Sequence, residues 1–325
     1  MSADAVTSEA PQARAAEATP AVRAASAPVC FGVNEILPEG AWMPGAEEVL
    51  DAIAALEYAG TELGPPGFLG SASEVRARLA ERRLALVGAF LPLHFSSAER
   101  FPEDRAWLRT TLELIREGAP TGTRPFAVLS EGFGEPLRMR YAGRIAEHPE
   151  AALPPERFPL QVANLQRAAE DCQAAGLEPV LHHHAATFIE TEAEIRRVLE
   201  AIDTALLGLC LDTGHARFGG ADPVVLAEDY HALIRHVHLK DCSRAVIEAG
   251  RRADKDFAAL TAEGAFTELG QGDAGVGEVV EVLRAHGYAG WVVVEQDRYL
   301  FADGDLEATL EAQQRNRAWL RGVGI

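Results

Sequence analysis

The sequence predicts an α/β protein built as a (β/α)8 barrel, and three observations predict it. Short β-rich runs alternate with longer stretches at helical spacing from residue 30 to the end of the chain. The alternation repeats eight times, whereas an open doubly wound sheet normally has fewer strands. The last four β-rich runs each end in His, Asp or Glu, at the strand end where barrels of this kind carry their chemistry. At 325 residues and 48% hydrophobic content, the chain suits one large domain with a sizeable core.

Taken in order, residues 1–28 (MSADAVTSEAPQARAAEATPAVRAASAP) are Ala-rich, carry scattered charge and lack an uninterrupted apolar core. They read as a disordered leader rather than a secretory signal, followed by a single barrel domain over 29–325. The first strand is expected at CFGVN (30–34). In AEEVLDAIAALEYAG (46–60), Val49, Ile53 and Leu56 share one face of a helix that Gly60 closes. Strands then follow at GTELG (60–64), LALVGAFL (84–91), FAVLSE (126–131), EPVLHHH (178–184), LGLCLDTGH (207–215), IRHVHLKD (234–241) and GWVVVEQD (290–297). Helices are expected between and after them at 73–83, 103–118, 160–175, 191–202, 223–232, 276–287 and 305–321. The stretches 132–159 and 242–275 exceed ordinary loops, and long β-to-α loops are where such a barrel builds a site.

A formal charge of −19 and a pI near 5.0 argue against a nucleic-acid partner, because a phosphate backbone would be repelled. No apolar run approaches the 18 residues of a membrane span. Cys30, Cys172, Cys210 and Cys242 are widely spaced, without a C-x-x-C pair, which points to neither a disulfide framework nor a zinc knuckle and suits a reducing cytoplasm. A nicotinamide oxidoreductase is disfavoured, since no G-x-G-x-x-G follows the first strand.

Strand alternation identifies the candidate site. In IRHVHLKD a period of two turns Val237 and Leu239 toward the helices, and His236, His238 and Lys240 toward the barrel axis. The same count sends Leu207, Leu209 and Leu211 outward and Cys210 and Asp212 inward, with Cys210 a filler one layer below Asp212. In GWVVVEQD, Val292 and Val294 go out while Glu295 and Asp297 go in. In VLHHHA it faces His182 and His184 inward and leaves His183 packed or hydrogen-bonded among the helices. Burying several ionisable groups in one mouth without a cation would be costly. His182, Asp212, His238 and Glu295 therefore read as a metal site with two imidazoles, two carboxylates and no thiolate; Mn²⁺ is the first expectation, and Co²⁺, Mg²⁺ or Zn²⁺ also suit.

These residues carry a resemblance. The segments 211–241, VLHHHAATFIET (180–191), YAGTELGPPGFL (58–69) and GYAGWVVVEQD (287–297) resemble the xylose-isomerase-like TIM barrel superfamily, and within it the inosose dehydratase and sugar isomerase/epimerase group. The resemblance covers nearly all of 30–321 and implies one metal ligand from each of the last four strands: His182, Asp212, His238 and Glu295. Many relatives carry Glu where this chain has His182, and His184, two residues on and on the same face, is the alternative ligand. The resemblance also implies that His215, in D-T-G-H, contacts substrate in a one-metal enzyme, and that the chain forms a homo-oligomer.

A cation at such a site stabilises an enolate after an α-proton leaves a ketone. Expelling a β-hydroxyl from it gives a dehydratase, and reprotonating it elsewhere gives an isomerase or epimerase. The resemblance implies the first outcome, on a small polyhydroxylated ketone, a keto-inositol. For proton transfer the candidates are Glu62 and His184, with Lys240 polarising the substrate oxygen. Glu62→Gln is then expected to impair turnover and leave metal content unchanged. His94, His215 and Asp297 are candidates for reading substrate groups, and the glycine-rich LGQGDAG (269–275) for closing over them. The alternatives are a keto-sugar isomerase or epimerase, the catalytic subunit of a C-glycoside-cleaving enzyme, and a non-catalytic sugar-binding protein. A DNA-repair nuclease is disfavoured by the acidic charge.

Overall fold

The computed structural model describes residues 22–120 and 123–325. Its strands in chain order are β1 (Arg23–Ser26), β2 (Gly60–Glu62), β3 (Ala85–Leu93), β4 (Phe126–Glu131), β5 (Glu178–His182), β6 (Gly208–Asp212), β7 (Ile234–Leu239), β8 (Asp241–Cys242), β9 (Phe266–Thr267) and β10 (Trp291–Val294). Eight of them close a parallel barrel in the order β1-β10-β7-β6-β5-β4-β3-β2, as the alternating pattern predicts. β8 and β9 form a separate antiparallel pair beyond the end of β7.

Alternation sorts the core into two layers. Leu209, Leu211, Val237, Leu239, Val292 and Val294 are buried in the large cluster that the strands share with the helices. Inside the barrel, Ala25, Ala27, Val87 and Val293 make one small cluster, and Val128, Val180 and Cys210 another. Cys210 is thus the interior filler expected. The expected helices are present: Ala46–Ala55, Ala72–Arg82, Phe101–Gly118, Phe158–Ala174, Glu192–Ala201, Pro223–Tyr230, Val276–Ala285 and Asp305–Gly322. The first ends earlier than expected, capped at Leu56, and Gly60 belongs to β2 instead.

The first strand is a correction. It lies at Arg23–Ser26, where it pairs with β10 in the register Arg23↔Trp291 to Ser26↔Val294, and not at 30–34. The stretch expected to form it is a 3-10 helix, Pro28–Phe31, closed by Gly32. Phe31 and Cys30 are apolar because they are buried beneath that turn, and the Cys30 thiol donates to the Val294 carbonyl at 3.2 Å. β1 escapes an alternation search because Ala24, Ala25 and Ser26 are small and buried on both faces, so no polar side marks it. Residues 1–21 of the expected leader lie outside the described residues, while 22–28 belong to the barrel and the turn after it.

The glycine-rich 269–275 loop is a second correction. Its backbone N–H groups do not face a cavity; those of Gly270 and Gly272 donate to Asp241 Oδ2 at 2.9 and 3.0 Å, and that of Ala274 donates to Oδ1 at 3.0 Å. The final Asp of H-V-H-L-K-D is therefore a buried acceptor that shapes this loop. With the Cys242 N–H, which donates to Oδ1 at 2.9 Å, removing the carboxylate leaves four donors without their acceptor, each worth about 1 kcal/mol or more when buried. Asp241→Ala is expected to destabilise the protein by at least about 2 kcal/mol. Chemical denaturation of the two proteins measures this, and equal midpoints would remove Asp241 from the role.

Candidate active site

The polar residues at the C-terminal strand ends converge as alternation predicts. His182 ends β5, Asp212 ends β6, His238 lies in β7, and Glu295 follows β10; all four are buried. One ligand atom from each lies within 4.8 Å of the others. His182 Nε2 is 3.4 Å from Asp212 Oδ2, which is 3.8 Å from His238 Nδ1; that nitrogen is 3.1 Å from Glu295 Oε2.

Local chain geometry sets each donor. Asp212 is the N-cap of the short helix Thr213–Phe218: its Oδ1 accepts the His215 N–H at 2.7 Å, leaving Oδ2 for the cluster. His238 Nε2 and His236 Nε2 both reach Glu62 Oε1, at 3.0 and 2.7 Å. The imidazole N–H groups donate there, so Nδ1 is the nitrogen that His238 turns toward Glu295 and the cluster. His183 is also as expected, buried away from the axis with Nε2 accepting the Asp212 N–H at 3.4 Å.

Among the described residues, no hydrogen bond reaches His182 Nδ1 or Nε2, Asp212 Oδ2 or His238 Nδ1, although all are buried. Buried polar atoms without partners are costly, and here four of them fall on three members of one cluster. The charge balance points the same way: Asp212, Glu295 and Asp297 gather about a single ammonium, that of Lys240, while Glu62 meets only the imidazoles of His236 and His238. Burial opposes charge on His238, yet Cys210, Glu295 and Glu62 hold it well above the ordinary imidazole range, so that a cation bound here would displace the proton on Nδ1. Burial likewise opposes ionisation of Glu62, but His238 and His236 pull it down to about 2. His182 is held low by burial and is neutral, as a ligand needs to be.

Lys240 Nζ is 2.8 Å from Asp297 Oδ1, 2.8 Å from His215 Nε2 and 3.0 Å from Glu295 Oε2. Lys240 thus pairs with two carboxylates and hydrogen-bonds one imidazole while also lining the cavity, the position expected of a residue that meets a substrate oxygen. His184 Nδ1 donates to the Ala185 carbonyl at 2.7 Å, leaving Nε2 as the free nitrogen of a ring that lines the cavity. Burial and the neighbouring His182 and Lys240 keep that ring neutral, well below its ordinary value.

The cavity above the cluster encloses about 940 Å³ including its mouth. Phe90 from β3, Phe133 and Met139 from the 132–159 stretch, and Phe257 from 242–275 form an apolar wall opposite Lys240, Glu295 and Asp297. Both long stretches thus contribute to the site as expected. Glu35 also lines the cavity and was not identified from sequence, because it sits in a turn with no periodicity to mark it. Glu35 is solvent-exposed at the cavity rim, where the protein packed around its carboxyl and the charges of Glu295 and Asp297 raise it above the ordinary carboxylate range.

Two expected substrate contacts lie elsewhere. His94 Nδ1 pairs with Asp104 Oδ2 at 2.8 Å and Nε2 with the Phe133 carbonyl at 2.8 Å, so both nitrogens are spent holding the cavity wall. His215 sits one turn into a buried helix, its ring 3.6 Å from that of His184 and tilted 37° to it, and is not part of the cavity lining. Asp297 does line the cavity, tied to Lys240.

The sequence profile of the xylose isomerase-like TIM barrel family matches residues 50–322. An inosose dehydratase of Geobacillus kaustophilus is 33% identical over 274 residues, 84% of this chain and 86% of that protein. Inosose dehydratase 2 of Bacillus cereus is 37% identical over 142 residues, covering 44% of this chain and 48% of that one. Among solved structures, an L-ribulose 3-epimerase matches with a TM-score of 0.64 at 18% identity, over 93% of this chain and 94% of that one. An IOLI protein with a bound zinc atom matches at 0.65 and 14% identity, over 93% and 98%. Both structures share the fold.

The structural assignment of His94 has a pH signature. Burial works against its charge, but Asp104 and the Phe133 carbonyl outweigh burial and raise it above 6.5, while the same pairing lowers Asp104 below 3.8. The pair therefore stabilises the fold most between those two ordinary values, and its contribution is lost as pH rises through the elevated His94 value. His94→Gln is expected to lower Tm more at pH 5.5 than at pH 9. A Tm gap that does not narrow with rising pH would contradict the ion pair.

Proposed function

Because the chain belongs to the xylose isomerase-like TIM barrel family, we propose that it is a metal-dependent carbon–oxygen lyase that removes water from a keto-inositol. Its likeness over most of both chains to an inosose dehydratase supports the reaction. The observation that carries the metal is the convergence of His182, Asp212, His238 and Glu295, three of which hold buried ligand atoms without a hydrogen-bond partner. Two imidazole nitrogens and two carboxylate oxygens suit Mn²⁺ first, with Co²⁺, Mg²⁺ and Zn²⁺ as competitors. Bound there, a divalent cation supplies Lewis acidity to a carbonyl and its neighbouring hydroxyl.

The residues around the cluster divide the remaining work. Phe90, Phe133 and Phe257 take the C–H face of the ring and exclude water. His184, neutral and with Nε2 free, accepts the α-proton. Glu35, raised above the ordinary carboxylate range, delivers its proton to the departing β-hydroxyl, so that one water leaves with His184 as imidazolium and Glu35 as carboxylate, and a proton passing back through solvent from the first to the second resets the site. Glu62 is a positioning residue that fixes the tautomer of His238, in place of the proton-transfer role expected from sequence. Lys240 holds Glu295 and Asp297 in place. The four cysteines, all buried and free, support a reducing cytoplasm as the setting.

Metal-stripped protein given scyllo-inosose is expected to show no ultraviolet absorbance of the dehydrated dione until Mn²⁺ is restored. Deuterium uptake in D₂O without loss of water would assign a keto-sugar isomerase or epimerase instead. Glu35→Gln is expected to lower kcat about 100-fold or more with metal content unchanged. Glu62→Gln is expected to weaken metal binding about 10-fold or more, read by competition with a chromogenic chelator; unchanged affinity would return Glu62 to the proton-transfer step.

A further inference from the structure

A second trio of ligand-type residues lies beside the first cluster. His184, His215 and Asp297 bring one ligand atom each to within 4.8 Å of the others, and all three are buried. Two imidazoles and a carboxylate are a common donor set for a divalent ion. We propose that the ammonium of Lys240 occupies the cation position this trio creates, so that the protein carries one exchangeable metal site and, beside it, one cation tethered to its own chain.

The geometry is that of a coordinated cation. Nζ is 2.8 Å from His215 Nε2 and 2.8 Å from Asp297 Oδ1, and it meets the first cluster through Glu295 Oε2 at 3.0 Å and Asp212 Oδ2 at 3.4 Å. Glu295 and Asp212 thus stand between the two positions, as bridging carboxylates do between paired ions. A lysine N–H donates to His215 Nε2, so that nitrogen presents its lone pair to the tethered cation. His184 donates Nδ1–H to the Ala185 carbonyl, which leaves its Nε2 lone pair as the one open to the trio.

The path of the lysine is built in. Gly214, in D-T-G-H, has no side chain where a Cβ would lie 2.5 Å from Lys240 Cγ and 2.9 Å from its Cβ and Cδ. Thr213 Oγ1 donates to the Lys240 carbonyl at 2.6 Å and accepts the Lys240 N–H at 3.0 Å, fixing where the stem starts. The Phe266 ring lies 5.2 Å from Nζ and closes the remaining side. Removing the ammonium would leave two imidazoles and two carboxylates, His184, His215, Asp297 and Glu295, facing one another across a space that a second divalent ion fits.

The inference rests on the metal reading above, and metal stoichiometry tests the two separately. Full-length protein is dialysed against excess Mn²⁺, desalted, and its metal content measured by inductively coupled plasma mass spectrometry. The expected result is one ion per chain for the wild type, two for Lys240→Ala, and a return to one for the double variant Lys240→Ala with Asp297→Asn. In the two-ion variant the electron paramagnetic resonance signal of Mn²⁺ is expected to show spin coupling that the wild type lacks. Lys240→Gln, neutral but still able to hydrogen-bond, is read in the same way should Lys240→Ala fail to fold. Two ions in the wild type, or one in both the wild type and the neutral variants, would overturn the tethered-cation inference and leave the first site standing. No metal in the wild type would overturn the metal reading and this inference with it.

Discussion

Burying charge in the mouth of a closed barrel is the constraint on which the rest of this end of the molecule depends. An ionised carboxylate taken out of water without a partner costs several kcal/mol, and four of them meet here. Each is answered by a different device. Glu62 takes two imidazole N–H groups, Asp212 gives one oxygen to its own helix, and Glu295 and Asp297 share the ammonium of Lys240. What those devices leave over is a small set of buried atoms pointed at one another, and their convergence defines the site more sharply than any single residue does.

The loops divide the labour differently from the strands. Strand ends hold the ionisable groups, while the two long stretches supply aromatic wall and are themselves pinned by buried charge. Arg138 donates to Glu194 at 2.8 Å and to Glu190 at 3.2 Å, and Glu190 accepts the N–H groups of Gly143 and Ala186 at 2.9 Å each. Burial pushes Glu190 up to about 7, against the pull of Arg138. Asp241 does the same for the glycine-rich loop and Asp104, through His94, for Phe133. Rigid walls of this kind keep a polar floor and an apolar face at a fixed separation.

The parts legible in the sequence were those in which polar and apolar residues alternate with contrast. β5, β6, β7 and β10 show that contrast, and the inward set His182, Asp212, His238 and Glu295 follows from counting by twos. β1 has no contrast, because Ala24, Ala25 and Ser26 are small and buried whichever way they point. The roles of Glu62, His94 and His215 depend on which neighbour takes each nitrogen or oxygen, a matter of distances across the barrel that separate residues by up to 176 positions in the case of Glu62 and His238. Glu35 and the aromatic wall lie in turns and loops, whose placement follows from tertiary packing and not from periodicity.

The identity of β1 also bears on how the chain reaches this state. Its neighbours are β10, 268 residues away from Arg23 to Trp291, and β2, which meets it at Ser26↔Thr61 and through the Ala59 N–H to Ala24. During synthesis on the ribosome, the first strand therefore emerges long before the strand that buries its other edge exists. Until then its backbone N–H and C=O groups on that side face water or some other chain, and ring closure waits for nearly the entire polypeptide. A barrel joined last at the seam between its first and final strands is exposed to mispairing for most of its birth, and the small side chains of Ala24, Ala25 and Ser26 give a competing strand little to hold.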